Sequence, residues 1–199
     1  MSFFNWAAPL IRRYGDRFTP EDASRIAEWL RPAVPGQGGA VLDVGGGAGQ
    51  LAALLAEELD ASLTVLDPTP QMLDHVPSDA RVHAVSGLAE SMPFPDSDFD
   101  ALLVTDTFHH FRDQGAAVAE FARVVRPGGR VLVLDLDPSG RAMRLIAFGE
   151  RLLGEPAAFM TPDGMCAFMA KHGIAGECTR ENGASYRFLG VVEKNETAA

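Results

Sequence analysis

The chain has 199 residues, 47% apolar and 22% charged, enough for one globular domain with a full core. Its formal net charge of −10 argues against nucleic acid or an anionic membrane surface as a partner, since either calls for a basic face. Two cysteines, Cys166 and Cys178, show neither metal-ligand nor redox spacing and read as reduced and buried or half-buried. The opening SFFNWAAPLIRRYGDRF turns charged after a short apolar run, unlike a signal peptide, and no run reaches the length of a membrane span. A soluble cytoplasmic protein without integral membrane association is expected. No internal repeat, low-complexity stretch or linker breaks the chain, so residues 1–199 read as a single domain.

In chain order, Ser2 to Phe18 carries Phe3, Phe4, Trp6 and Tyr14 and reads as an amphipathic helix capping the core. Thr19-Pro20-Glu21-Asp22 starts a helix, with Thr19 as N-cap, Pro20 at the first helical position and acids in the first turn. Ala23, Ile26, Ala27 and Leu30 form its core-facing stripe, and Pro32 to Gly39 ends it. Then comes AVLDVGGGAGQ, from Ala40 to Gln50. Val41, Leu42 and Val44 suit a buried strand, interrupted by Asp43. Gly45, Gly46, Gly47 and Gly49 form a turn, and Leu51, Leu54, Leu55 and Leu59 begin a helical stripe. Such a strand, turn and helix N-terminus lets a ligand lie against bare backbone. The dinucleotide fingerprint G-x-G-x-x-G fails here, because Gln50 stands at its third glycine. What is present is Asp43-x-Gly45-x-Gly47-x-Gly49, which resembles motif I of the class I S-adenosylmethionine (SAM) dependent methyltransferases.

Ser62 to Leu66 reads as a second strand with Asp67 at its end, where an acid can accept both hydroxyls of an adenosine ribose; a plain turn aspartate before Pro68 is the alternative. Gln71-Met72-Leu73 begins a short helix, and Met72 is placed beside an adenine face. His75 and His83 read as ordinary surface or turn residues. After a third strand, Arg81 to Val85, the run Gly87-Leu88-Ala89-Glu90-Ser91-Met92-Pro93-Phe94 resembles the G-D-A-E-x-L-P-F signature of the quinone-type C-methyltransferases. In that signature an aspartate accepts from the adenine amino group and the next backbone N–H reaches the ring. Here Leu88 replaces the aspartate, which leaves the Ala89 N–H; Glu90 reads as a helix or turn residue.

An acidic turn leads into strand four through Leu102, Leu103 and Val104, with Thr105 counted on the cofactor side. Thr107-Phe108-His109-His110-Phe111 follows and resembles the histidine–histidine–aromatic ending of the same group. Strand four is expected beside strand one, so His109 and His110 should face the methyl-transfer region, one of them holding a neighbouring loop. Asp113 to Val125 reads as a helix stopped by Arg126-Pro127-Gly128-Gly129, and Val131 to Leu136 as a fifth strand buried on both faces. FARVVRPGGRVLVLD resembles the corresponding family segment and is read as fold-forming, with no residue required at a ligand. Arg141 to Leu153 is helical by pattern, with Met143 and Phe148 adding apolar surface that suits deeper packing, a substrate wall or a dimer contact. Thr161-Pro162-Asp163 starts a last helix through Lys171. Ile174 to Arg180 and Ser185 to Val192, joined around Asn182-Gly183, read as a terminal hairpin.

Alternating strands and helices from Ala40 to Leu136 give an α/β, Rossmann-like doubly wound sheet with its ligand at the strand C-termini. The resemblance, to the ubiquinone/menaquinone C-methyltransferase-like group with its type 11 methyltransferase domain, implies seven strands with the last antiparallel. It also implies an N-terminal cap or lid (1–39), a SAM-binding core (40–137) and a substrate-side part (138–199). By that resemblance Asp43, Gly45, Gly46, Gly47, Gly49, Asp67, Pro68, Met72, Leu88, Ala89 and Thr105 lie at SAM, His109 and His110 serve catalysis, and no metal is used. The product would be S-adenosylhomocysteine, the acceptor a small and lipophilic or quinone-like molecule, and a homodimer is possible. Two other readings stay open: a SAM-binding protein without transfer activity, and a nicotinamide oxidoreductase.

Overall fold

The computed structural model describes residues 18–35, 37–140, 158–181 and 184–193. The cap at Ser2 to Phe18 (save Phe18 itself), the helix at Arg141 to Leu153 and the Asn182-Gly183 turn lie outside the described residues. Strands made of residues apolar at every position must be covered on both faces, and that requirement organises the chain. The strands are β1 (Ala40–Val44), β2 (Ser62–Asp67), β3 (Val82–Ser86), β4 (Phe99–Thr105), β5 (Val125–Leu136), β6 (Ile174–Arg180) and β7 (Ser185–Val192). They form one seven-stranded sheet in the order β3-β2-β1-β4-β5-β7-β6. β1 to β5 run parallel, and β7 is antiparallel to both β5 and β6.

Alternation along the central strands divides the core in two. On one face Val41, Leu63, Val65, Ala101, Leu103 and Leu132 pack under α1 (Pro20–Leu30) and α2 (Gln50–Leu59). On the other, Leu42, Leu102, Val104, Val131, Val133 and Phe188 pack under α4 (Gln114–Val124) and α5 (Pro162–Ala170). A single turn of helix, α3 (Pro70–Leu73), follows β2. The helix ends carry the chemistry read in the sequence. Thr19 Oγ1 accepts from the Asp22 N–H, and the Asp22 carboxylate accepts from the Thr19 N–H, a capping box with Pro20 in the first turn. α5 has Thr161 Oγ1 accepting from Gly164 N–H at 3.2 Å.

β5 begins earlier than the expected Val131. Val125 already pairs with Phe99, and regular pairing resumes at Ala101 with Arg130, so Arg126-Pro127-Gly128-Gly129 is an excursion within the strand rather than a stop before it. A methyl group on Gly129 would overlap the Asp100 carbonyl, which is why glycine stands at that close approach.

Sheet order reverses between β1 and β4, the switch point at which an open parallel sheet forms a crevice beyond its strand C-termini. At the opposite end of this pair, Asp100, 2% exposed, accepts from the Ala40 N–H at 2.8 Å and pairs with Arg126 Nη1 at 2.6 Å. This carboxylate fixes the start of β1 against β4. Asp100→Ala should therefore lower unfolding stability in urea by about 2 kcal/mol, the scale of a hydrogen bond to a charged group. An unchanged midpoint would remove Asp100 from that role.

Candidate functional site

The glycine turn closes the crevice from the β1 side. Gly45 donates its N–H to Leu66 O at 2.7 Å, with φ +72, tying the turn to the end of β2. A methyl there would overlap the Thr107 side chain, and one on Gly46 would overlap the Asp43 carboxylate. Gly47, φ +55, lies with the Met72 tip near the space a Cβ would take, and Gly49 caps α2 in the left-handed region without a side-chain bond.

Under this turn sits Asp43, 1% exposed, and neither of its carboxylate oxygens has a hydrogen-bond partner among the described residues. Burial first, then the charge of Asp67, push its carboxyl up to about 7. Asp67 is also buried, but it accepts from Gly47 N–H at 3.1 Å and Thr69 N–H at 2.8 Å. Burial raises its carboxyl, and those two N–H groups work against the rise. A buried carboxylate left without a donor costs free energy unless a cationic or donating group meets it. Asp43, the glycines, Asp67 and Met72 thus come together at the C-terminal ends of β1 and β2.

The other expected residues frame this cluster. Pro68 is exposed just past β2. Leu88, 55% exposed, stands beyond β3 and pairs with Ser91 in an isolated bridge, while Ala89 is buried. Glu90 Oε1 accepts from Arg112 N–H at 2.9 Å and Asp113 N–H at 3.3 Å, so its carboxylate ties this loop to the start of α4. Thr105 ends β4, and its carbonyl accepts from Thr107 Oγ1 at 3.0 Å.

In the turn after β4 the histidines divide. His109 is 2% exposed, its Nδ1 lies 2.6 Å from Asp135 Oδ1, and its ring stacks on Phe159 at 4.2 Å between centroids. Its carbonyl accepts from Ala158 N–H at 3.0 Å. His110 lies beside it, rings 4.1 Å apart, and is partly exposed. Burial, with the His109 charge next, pushes its imidazole down to about 4, against the pull of Asp106. Asp106 holds a left-handed backbone, φ +56, and donates its N–H to Leu134 O at 2.8 Å. A non-glycine residue in that region marks strain kept where the chain turns out of β4.

Asp135, in the fold-forming segment FARVVRPGGRVLVLD, is the partner of the buried His109. Its signal was in the sequence: an acid near the end of a continuously apolar strand, the same pattern that singles out Asp43. Thr107, Asp106 and Phe159 carried no such signal. Asp106, His109 and Asp135 each offer one metal-ligand atom within 4.8 Å of one another, a grouping that spacing along the chain does not show. With His109 Nδ1 on Asp135 Oδ1, the geometry is that of a hydrogen-bonded histidine–aspartate pair.

Comparison with known proteins places this geometry. Residues 42–133 match the family model described as a methyltransferase domain. An uncharacterized methyltransferase of Mycobacterium bovis is 37% identical over 117 residues, covering 58% of this chain and 46% of that protein. The ubiquinone/menaquinone biosynthesis C-methyltransferase of Shewanella halifaxensis is 31% identical over 165 residues, covering 77% of this chain and 62% of that protein. The chain thus spans about half the length of the curated relatives it matches. The crystal structure of a SAM-dependent methyltransferase from Thermotoga maritima superposes with a TM-score of 0.74 at 20% identity, covering 96% of this chain and 98% of that one. Among the described residues no helix is long and apolar enough to cross a membrane. Residues 42–133 thus match a methyltransferase domain, and the seven-stranded sheet ending in an antiparallel strand has the class I methyltransferase fold.

Proposed function

We propose that this chain transfers the methyl group of SAM to a small, lipophilic acceptor. The observation that carries the reading is Asp43, a buried carboxylate without a hydrogen-bond partner among the described residues, beneath a glycine turn. SAM fits that environment, because its amino acid end offers an ammonium and its sulfur a positive charge. Bound there, SAM supplies a methyl group already activated on a sulfonium, open to in-line displacement. Asp43 orients the methionine part, and Gly45, Gly46, Gly47 and Gly49 let it approach the backbone. Asp67 takes the ribose hydroxyls, beside Pro68. Met72 and Leu88 flank the adenine, the Ala89 N–H meets its ring edge, and Thr105 closes the β4 side.

On the acceptor side, Asp135 orients the His109 ring through Nδ1, and His109 takes or holds the proton of the acceptor's polar group. His110 serves as a neutral neighbour. Alignment and exclusion of water supply the remaining rate. Quinone-like acceptors are favoured by the name of the Shewanella relative, which states that protein's own pathway. A second reading, SAM binding without transfer, draws on Leu88, an exposed apolar side chain where the resemblance expects an adenine-binding acid. Titration with SAM, S-adenosylhomocysteine and NAD, followed by methyl-labelled SAM with a metabolite extract, separates these readings. Binding without label transfer across a broad panel would favour the second.

Three outcomes follow from the geometry. Asp67→Ala should weaken SAM binding roughly ten- to a hundredfold, the worth of a charge-assisted bond of about 1.5–3 kcal/mol, by calorimetry on folded protein. Unchanged affinity would take Asp67 out of the site.

Asp43 also sets a pH dependence of the ligand-free fold. Its folded value of about 7 lies above the unfolded carboxylate range, so the folded chain keeps a proton that the unfolded chain has released. The contribution is fully favourable below about pH 4 and is lost as pH rises to about 7. Melts from pH 4 to 8 should show wild type losing stability relative to Asp43→Asn across that window. Parallel curves would contradict the raised value.

His109→Ala should cost roughly 10²-fold or more in turnover with SAM affinity retained, and His110→Ala much less. Asp135→Asn should also slow turnover and shift its pH profile, a change that loop loosening alone does not produce. Equal, near-wild-type turnover in all three would leave the enzyme working by alignment only.

A further inference from the structure

Cys166 and Cys178 are free and half-buried, and their sulfurs lie 2.7 Å apart. That separation is inside non-bonded sulfur contact and longer than the roughly 2.05 Å of a bond. Two elements make the approach. Cys166 sits in the middle of α5, and Cys178 lies on the edge strand β6, opposite Phe188 of β7. Both pack against the core on the α4–α5 face of the sheet. Tyr186, fully buried, stands opposite Asp135 across β5 and β7. Burial raises its phenol, and the charges of Asp135, Cys178, Asp137 and Cys166 raise it further, so these groups share one buried neighbourhood.

We infer that Cys166 and Cys178 form a reversible intramolecular disulfide, a redox modification site that staples α5 to the sheet edge. A low-molecular-weight disulfide such as glutathione disulfide serves as oxidant. Burial, then the bond to Cys166, push the Cys178 thiol up, and the two thiols exchange with the oxidant in turn. One thiolate attacks one glutathione sulfur, forming a mixed disulfide and releasing one glutathione. The other thiol, losing its proton as it attacks, displaces the second glutathione from the first. Two protein thiols are oxidised, and one glutathione disulfide is reduced to two thiols.

The staple acts next to the histidine pair. The segment leading into α5 donates Ala158 N–H to His109 O at 3.0 Å, receives Gln114 Nε2 on Ala158 O at 2.8 Å, and lays Phe159 on the His109 ring. Closing the disulfide holds α5, and with it this segment, over His109. What that does to turnover rests on the function proposed above, whereas the bond itself does not.

The full reduced chain is incubated with glutathione disulfide and analysed by intact mass and peptide mapping without reductant. The expected product is a monomer short of two hydrogens, with the Cys166 and Cys178 peptides joined, reversed by dithiothreitol. Cys178→Ser should stop at a glutathione adduct on Cys166. The cross-linked chain should melt higher than the reduced one, and hydrogen exchange at Ala158 to Met160 should slow. Separate adducts on the two thiols, intermolecular dimers, or two thiols that stay free would overturn the site. Unchanged exchange in the cross-linked chain would overturn its connection to His109. SAM titration on the same samples reports on the function separately.

Discussion

A carboxylate with no hydrogen-bond partner among the described residues, sealed beneath a turn of glycines, is the feature on which the account of this site depends. Asp43 is 1% exposed near the C-terminal end of β1, and the charge that acts on it is that of another carboxylate, Asp67. In isolation such a group weakens the fold, because desolvation is not offset by any donor. The cost is local, and around it lie bare backbone above, Met72 at one side, and a second acid that already collects the Gly47 and Thr69 N–H groups. A local violation of good packing in an otherwise well-filled core is where function is expected.

The sheet makes this arrangement possible. Reversal of strand order between β1 and β4 opens the crevice, and Asp100 pins that pair from below. The residues proposed for the donor side come from the ends of β1, β2 and β3, and the histidines from the turn after β4. Asp135, at the end of β5, reaches His109 because β5 lies beside β4, with Leu134 opposite Thr105. The groups past the strand ends differ in chemistry: acids and glycines at β1 and β2, imidazoles after β4.

Much of this was legible in the residues. Asp43 interrupts a buried apolar run and is followed by a turn that only glycines suit, so its place under the turn could be read directly. Strand order and the antiparallel last strand came with the family resemblance rather than from hydrophobic pattern. Asp135 carried the same signal as Asp43 but sits in a segment whose every residue already had a structural reason. Which histidine is tied down was not readable, because the directions of two adjacent side chains on a turn depend on the neighbours that pack there. The cysteine pair was hidden for a related cause: their approach comes from α5 lying along β6, not from spacing in the chain. β5 starts early because Val125 pairs with Phe99 before the Pro-Gly-Gly excursion, which sequence alone reads as a stop.

If Asp43 is the group that meets the positive end of SAM, binding must strip its proton at a pH where the free chain holds it. Calorimetric titration of SAM at pH 6, in two buffers of different ionisation enthalpy, measures that proton directly. The expected result is release of close to one proton per SAM bound, fading above pH 8 and absent in Asp43→Asn, which should also bind SAM more weakly. Binding with no proton release at pH 6, or full affinity in Asp43→Asn, would contradict a donor site built on this carboxylate.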